Sequence, residues 1–208
     1  MTARPAVIVV AVGRGTRFAH ADQKLAQSLG AYSVLGTTLR HAIASELPVV
    51  VVTTESLSEL ASRTVAARDV VIVPEPGTPG FEGFGTGYAI AMGVTARADA
   101  AGWLILPGDM PLVQPSSLVA VARQLNQHPV VCAQYKGRRG HPVGFSSELY
   151  SELAMLVGDD GARRLVSRYP TLGLELEDPG VLVEVNTEGD LDSLRQTLDT
   201  APMPLSGQ

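Results

Sequence analysis

Runs of β-branched apolar residues recur along the chain, separated by stretches in which apolar positions return every three or four residues. That alternation predicts an α/β fold. Strands are expected near 6–12, 48–54, 70–73, 103–106, 129–135 and 181–185, with weaker candidates at 142–146 and 172–176. Helices are expected near 33–46, 55–67, 86–98, 115–127, 148–156, 160–168 and 188–198. The runs at 6–12 and 48–52 are apolar throughout rather than at alternate positions. Such runs belong to central strands covered on both faces, as in a parallel sheet. Pro115 suits the first turn of its helix, and Gly158-Asp159-Asp160-Gly161 separates two others.

No stretch of linker composition divides the chain and no internal repeat appears, so residues 1–199 are expected to form one domain and 200–208 a frayed tail. Residues 74–87 hold five glycines and three prolines, too long a segment for a plain connection, and are expected to cover a site. Composition narrows the picture further. With 45% apolar and 18% charged residues the chain has ample material for a core and is not a disordered polyampholyte. Its net charge of −5 argues against a generic nucleic-acid face. The longest apolar runs fall well short of the about 20 residues a membrane span needs. Cys132, the single cysteine, lies in an apolar run and reads as a buried thiol. The apolar run 6–12 is followed at once by Gly13-Arg14-Gly15 with no small-residue cleavage site, so it reads as a first strand rather than a secretory leader. A reducing cytoplasm is the expected location.

In open α/β sheets ligands bind where loops meet at the carboxyl ends of the strands. After the first run comes Gly13-Arg14-Gly15-Thr16-Arg17, then Lys24. Glycines let backbone N–H groups approach an anion, and Arg17 and Lys24 add full charges. The dinucleotide fingerprint fails at Phe18, and no Gly-Lys-Ser/Thr completes a Walker pattern. Taken alone, this is also the composition of a plain glycine turn. After the run at 103–106 stands Asp109, flanked by Gly108 and Pro111. A carboxylate there faces the crevice and suits a hard cation such as Mg²⁺, although Asp is also common in simple turns. On an extended 181–185, Glu184 and Asn186 share a side. Thr187 with Asp190 has the spacing of a helix cap. The segment 136–142 packs Lys136, Arg138, Arg139 and His141 together, either as an exposed basic hairpin turn or as a rim for an anionic second substrate. His20, His41 and His128 show no ligand spacing.

Taken in order, these segments resemble the MobA-like nucleotidyltransferases, and in particular the molybdenum cofactor (molybdopterin) cytidylyltransferases. The segments that carry the resemblance are Ala11 to Arg17 with Lys24, the turn around Asp109, Gly140-His141-Pro142, and Asn186-Thr187-Glu188-Gly189-Asp190. The resemblance implies a three-layer, mostly parallel twisted sheet flanked by helices, of the Rossmann-like, nucleotide-diphospho-sugar transferase type. It implies Mg²⁺-dependent transfer of a nucleoside monophosphate, CMP favoured, from an NTP (CTP or GTP) to an acceptor phosphate such as that of molybdopterin, with release of pyrophosphate. Arg17, Lys24 and Asp109 would be catalytic. Ala11, Val12, Gly13, Arg14, Gly15, Thr16, Thr53 and Thr86 would join them in holding the nucleotide. Arg139 and His141 would face the acceptor, and Asp109 and Asn186 the metal. Transient contact with molybdoenzyme maturation proteins is implied as well. The chain departs from the family pattern at Val12, Gln23 and Asn186 and in Gly85-Thr86-Gly87. Two alternatives keep part of this reading: GTP or a sugar phosphate as the other substrate, and a nucleotide-binding module without catalysis.

Overall fold

The computed structural model describes residues 3–12, 21–75, 78–80, 85–158 and 161–200. The expected phosphate-loop residues Gly13, Arg14, Gly15, Thr16 and Arg17, parts of the glycine-rich 74–87 segment, Asp159 and Asp160, and tail residues 201–208 lie outside the described residues.

The strands are β1 (Ala6–Ala11), β2 (Ser28–Leu29), β3 (Tyr32–Ser33), β4 (Val49–Thr53), β5 (Val70–Ile72), β6 (Gly102–Pro107), β7 (Val130–Tyr135), β8 (Arg138–Ser146) and β9 (Thr171–Glu175). The α-helices are α1 (Ala21–Ala26), α2 (Val34–Ala44), α3 (Glu55–Ser62), α4 (Thr86–Thr95), α5 (Pro115–Gln124), α6 (Tyr150–Ala154), α7 (Gly161–Arg168) and α8 (Glu188–Thr200). Seven strands form one sheet in the order β5-β4-β1-β6-β8-β7-β9, while β2 and β3 form a small antiparallel pair. The pairs β5/β4, β4/β1, β1/β6 and β7/β9 are parallel, and β8 alone runs against its neighbours β6 and β7. The mostly parallel, helix-flanked sheet expected from the sequence is therefore present. The antiparallel β8 follows from a two-residue hairpin: Lys136 and Gly137 both have positive φ, 49° and 75°. That is the turn geometry whose twist matches paired strands.

Alternation along the strands builds the layers. Val7 and Val9 of β1 join Leu35 and Leu39 of α2 and Leu118 of α5 in one core. Ala6 and Ile8 face the other way, onto Ile90 and Val94 of α4 and Leu153 of α6. A Cβ on Gly93 would stand 2.3 Å from Ile8 Cγ2, so α4 lies on the sheet at a distance only glycine permits. Trp103 is fully buried and donates its Nε1–H to the Arg97 carbonyl at 3.0 Å. Burying each large apolar side chain contributes roughly 1.5–3 kcal/mol, so two continuous cores on two sheet faces hold the strands rigid beneath the site.

Element ends differ from expectation in instructive places. The expected strand at 181–185 is a 3₁₀ turn, Pro179–Leu182, followed by irregular chain. Pro179 carries no N–H for a ladder, and the Asp178 carboxylate takes the Gly180 N–H at 2.9 Å, closing a turn instead. The weak candidate at 142–146 is the second half of the nine-residue β8. The short α1 and the β2/β3 hairpin carry too few periodic positions to be read in advance. No helix among the described residues is long and apolar enough to cross a membrane.

Candidate active site

Three backbone anchors fix the turn after β6. The Gly108 N–H donates to the Val10 carbonyl at 2.8 Å, the Thr38 hydroxyl donates to the Gly108 carbonyl at 3.0 Å, and the Val185 N–H donates to the Asp109 carbonyl at 2.9 Å. Asp109 is thereby held between the end of β1, helix α2 and the segment after the 3₁₀ turn. A second carboxylate does related work behind it. Asp178 accepts from the Ser117 hydroxyl at 2.6 Å and from the Gln114 N–H at 2.9 Å, tying the start of α5 to the 3₁₀ turn. Sequence reasoning missed Asp178, since an Asp before Pro-Gly reads only as a turn residue.

The Asp109 side chain meets Lys24 of α1, whose Nζ donates to Oδ2 at 2.6 Å. The two side chains are only 11% and 17% exposed, so the pair is weakly screened. The other oxygen, Oδ1, is buried with no hydrogen-bond partner. A buried carboxylate oxygen without a donor fits a hard cation, which is the demand Mg²⁺ makes. No group of three or more His, Cys, Asp or Glu with metal-binding geometry exists among the described residues. A cation here would draw its remaining oxygens from water and phosphate, as Mg²⁺ ordinarily does.

Asp109 and Lys24 open on a cavity of about 670 Å³ at the carboxyl edge of the sheet. Glu184, His141, Arg139, Thr86 and Arg163 line it as well. Its walls belong to both layers: Leu25 of α1 and Val181 are part of the first core, whereas Ile90 and Ile105 are part of the second. His141 Nδ1 is shielded from solvent and unpartnered. Burial pushes the imidazole below its ordinary value of 6.5, against the pull of Glu184, a backbone hydrogen bond with Ile105, and Asp109. The imidazole is thus neutral at pH 7 and can accept or donate one hydrogen bond to a ligand. Burial pushes the thiol of Cys132, also in the cavity wall, upward, and the Arg139 guanidinium draws it partly back. It is a packing group, as the sequence suggested, and not an activated nucleophile.

The expected site residues divide accordingly. Ala11, Lys24, Thr86, Asp109, Arg139 and His141 come together around the cavity. Thr53 is fully buried and its hydroxyl donates to the Ala11 carbonyl at 3.3 Å, so its side chain braces β4 against β1. Val12 ends the described part of its loop. Asn186 does not line the cavity; its Nδ2 donates to Glu184 Oε2 at 3.2 Å, and it is Glu184 that faces the space beside Asp109. The cap predicted at Thr187 is formed, with Thr187 Oγ1 accepting from the Asp190 N–H at 3.1 Å and Asp190 accepting from the Thr187 N–H at 2.8 Å. Arg163 carries no motif signal in one sequence, and only the packing of α7 brings it to the cavity.

The family model for the MobA-like NTP transferase domain matches residues 7–172. Over 150 residues the chain is 31% identical to the bifunctional protein GlmU of Cereibacter sphaeroides, a match covering 69% of this chain and 32% of that protein. The chain thus spans about a third of the length of that curated relative. Among solved structures, Rv0371c from Mycobacterium tuberculosis H37Rv superposes with a TM-score of 0.77 at 27% identity, covering 94% of this chain and 99% of that one. A further structure of Rv0371C is a complex with manganese. Molybdopterin-guanine dinucleotide biosynthesis protein A from Archaeoglobus fulgidus shares the fold, with a TM-score of 0.68 at 16% identity over 93% of this chain and 98% of that one.

Proposed function

The chain belongs to the MobA-like NTP transferase domain family and is a nucleotidyltransferase, and from that premise we propose that it transfers CMP from CTP to the phosphate of a molybdopterin-type acceptor, with Mg²⁺ and in the cytoplasm. The observation that carries the reading is the Lys24–Asp109 pair at the mouth of a cavity whose other lining includes Arg139 and His141. Two anions have to meet in this reaction, and those groups supply cationic or hydrogen-bonding contacts for both.

The chemistry asks little covalent work of the protein. An acceptor phosphate oxygen attacks the α-phosphorus in line, the bond to the β-phosphate oxygen breaks, and pyrophosphate leaves. The attacking oxygen is already anionic near neutral pH, so no general base is required. Lys24 exchanges its bond to Asp109 for one to a donor phosphate oxygen, with Arg17 as the second cation. Asp109, with its unpartnered oxygen, and Glu184 beside it would hold Mg²⁺, which neutralises phosphate charge. Asn186, bonded to Glu184, keeps that carboxylate oriented. Arg139 and neutral His141 receive the acceptor.

Pyrophosphate release from CTP, GTP, ATP and UTP, with Mg²⁺ and either a pterin phosphomonoester or a sugar phosphate, tests the reading. Release with CTP and the pterin compound is the expected result. Preference for GTP or for the sugar phosphate overturns the substrate choice. Nucleotide-dependent thermal stabilisation without release under any combination would make the protein a binding module.

A further inference from the structure

Helix α7 carries three arginines on a helix whose apolar side is committed to the core. Leu165 is buried, with Ala162 and Val166 packed against the same cluster, while Arg163, Arg164 and Arg168 are exposed. Arg168 pairs with Glu152 at 3.3 Å. Arg163 has no carboxylate partner among the described residues, and of the three only Arg163 lines the active-site cavity. Helical arginines without a partner are ordinarily solvated. This one borders a concave, partly apolar space that already holds the Lys24–Asp109 pair.

A second unpartnered guanidinium shares that space. Arg139 of β8 also has no carboxylate partner among the described residues, and it lines the same cavity as Arg163. Ile105, Val143 and Val166 contribute apolar surface to the same cavity. Arg163 stands on the second core's layer, whereas Lys24 stands on a helix of the first. Both arginines line the one cavity, Arg139 from β8 and Arg163 from α7, whereas the Lys24–Asp109 pair enters it from α1 and the turn after β6. A nucleobase is uncharged and has no need of two guanidiniums. The group that does need them is the other anion of the reaction.

On the proposed nucleotidyl-transfer reading, we infer that Arg163 of α7 and Arg139 of β8 form a clamp that holds the phosphate of the acceptor for in-line attack, with the acceptor's body on the apolar strip beside it. Planar guanidiniums bind phosphate bidentately and fix its orientation, which a lysine at the same place does less well. The step itself is the one already balanced: the held phosphate oxygen forms the new bond to the α-phosphorus and pyrophosphate departs. No proton or further reactant enters.

The test separates binding from turnover. Phenyl phosphate, a small phosphomonoester with an apolar ring, is titrated into wild type and the Arg163→Ala, Arg163→Lys and Arg139→Ala variants, with CTP stabilisation measured in parallel. Each alanine variant should weaken phenyl phosphate about ten- to a hundredfold, the scale of a lost charge-assisted contact. Arg163→Lys should recover part of the loss, and CTP stabilisation should be unchanged. Where turnover is measurable, the acceptor KM should rise while the CTP KM stays put. Phenyl phosphate binding that is absent in wild type or unaltered in Arg163→Ala overturns the clamp, as does an equal loss of CTP affinity. A clamp that binds as expected in a protein releasing no pyrophosphate would sink the catalytic reading while leaving the clamp standing.

Discussion

Lys24 and Asp109 neutralise one another across 2.6 Å, each largely withdrawn from water. Removing one partner leaves the other charge poorly solvated, which costs at most about 3–5 kcal/mol where shielding is complete. Lys24→Ala should therefore lower the melting temperature, and the Lys24→Ala/Asp109→Asn double variant should be more stable than Lys24→Ala alone. Thermal melts of the three proteins in one buffer check this. A double variant no better than the single would show that the two charges are not coupled.

Turnover should respond more steeply than stability. Losing one preorganised charge-stabilising group typically costs 10²–10³ in rate, so about that loss is expected for Lys24→Ala and for Arg17→Ala at saturating NTP. Initial rates of pyrophosphate release measure it. Unchanged kinetics in both variants would reduce the 13–24 segment to a turn.

Asp109→Asn should abolish turnover while the fold survives. The three anchors of its turn are the Thr38 hydroxyl and backbone groups, none of which involves the carboxylate. Glu184→Gln should shift the Mg²⁺ requirement to higher concentration, because Glu184 faces the cavity beside Asp109. Asn186→Ala should do the same more weakly, since Asn186 acts through its bond to Glu184. Mg²⁺ titrations of the initial rate distinguish the three, and a normal metal dependence in Asp109→Asn would move the cation elsewhere.

The pH dependence of stability should carry the signature of His141. Its imidazole lies below the ordinary 6.5 in the folded chain because burial disfavours the charged form. An unfolded His141 takes up a proton as the pH falls through about 6.5, whereas the folded one resists until its lower value is reached. Over that window the unfolded state binds more protons, so stability is complete above it and declines as the pH drops. His141→Asn should flatten the acid side of the melting curve between pH 7 and 5. Parallel curves for the two proteins would assign the acid limb to other groups.

How far the molecule was legible beforehand follows from what each residue needed. β1 and β4 stood out because strands covered on both faces are apolar throughout, and that pattern belongs to the strand alone. Asp109 was legible for a similar local reason, as a carboxylate directly after such a run. Val181, Val183 and Val185 also alternate like a strand, but Asp178 reaches forward to the Gly180 N–H and turns the chain. Thr53 was implied by the resemblance alone, and the Ala11 carbonyl that its hydroxyl bonds is supplied only by the pairing of β4 with β1. Arg163 depends on the docking of α7 against α4 and the sheet, a fact with no trace in its own neighbours along the chain.

Gly140 offers a final check, because it joins the basic hairpin to His141 at a point of backbone contact. A Cβ there would stand 2.0 Å from the Val181 carbonyl oxygen and 2.8 Å from its carbon, so an added methyl must push β8 and the 3₁₀ turn apart. Neither side yields easily: β8 is hydrogen-bonded between β6 and β7, and the turn is tied to α5 through Asp178. Overpacking of this kind commonly costs about 1–3 kcal/mol. The displacement would also separate His141 and Arg139, carried by β8, from Glu184, carried by the segment after the turn. Gly140→Ala should therefore lower the melting temperature, raise the acceptor KM and shift the Mg²⁺ requirement to higher concentration together, whereas Gly137→Ala, at the exposed hairpin tip, should strain only its own turn. Melts and steady-state kinetics of both variants decide it, and a Gly140→Ala protein with wild-type acceptor and metal constants would show that the contact with Val181 does not set the geometry of the site.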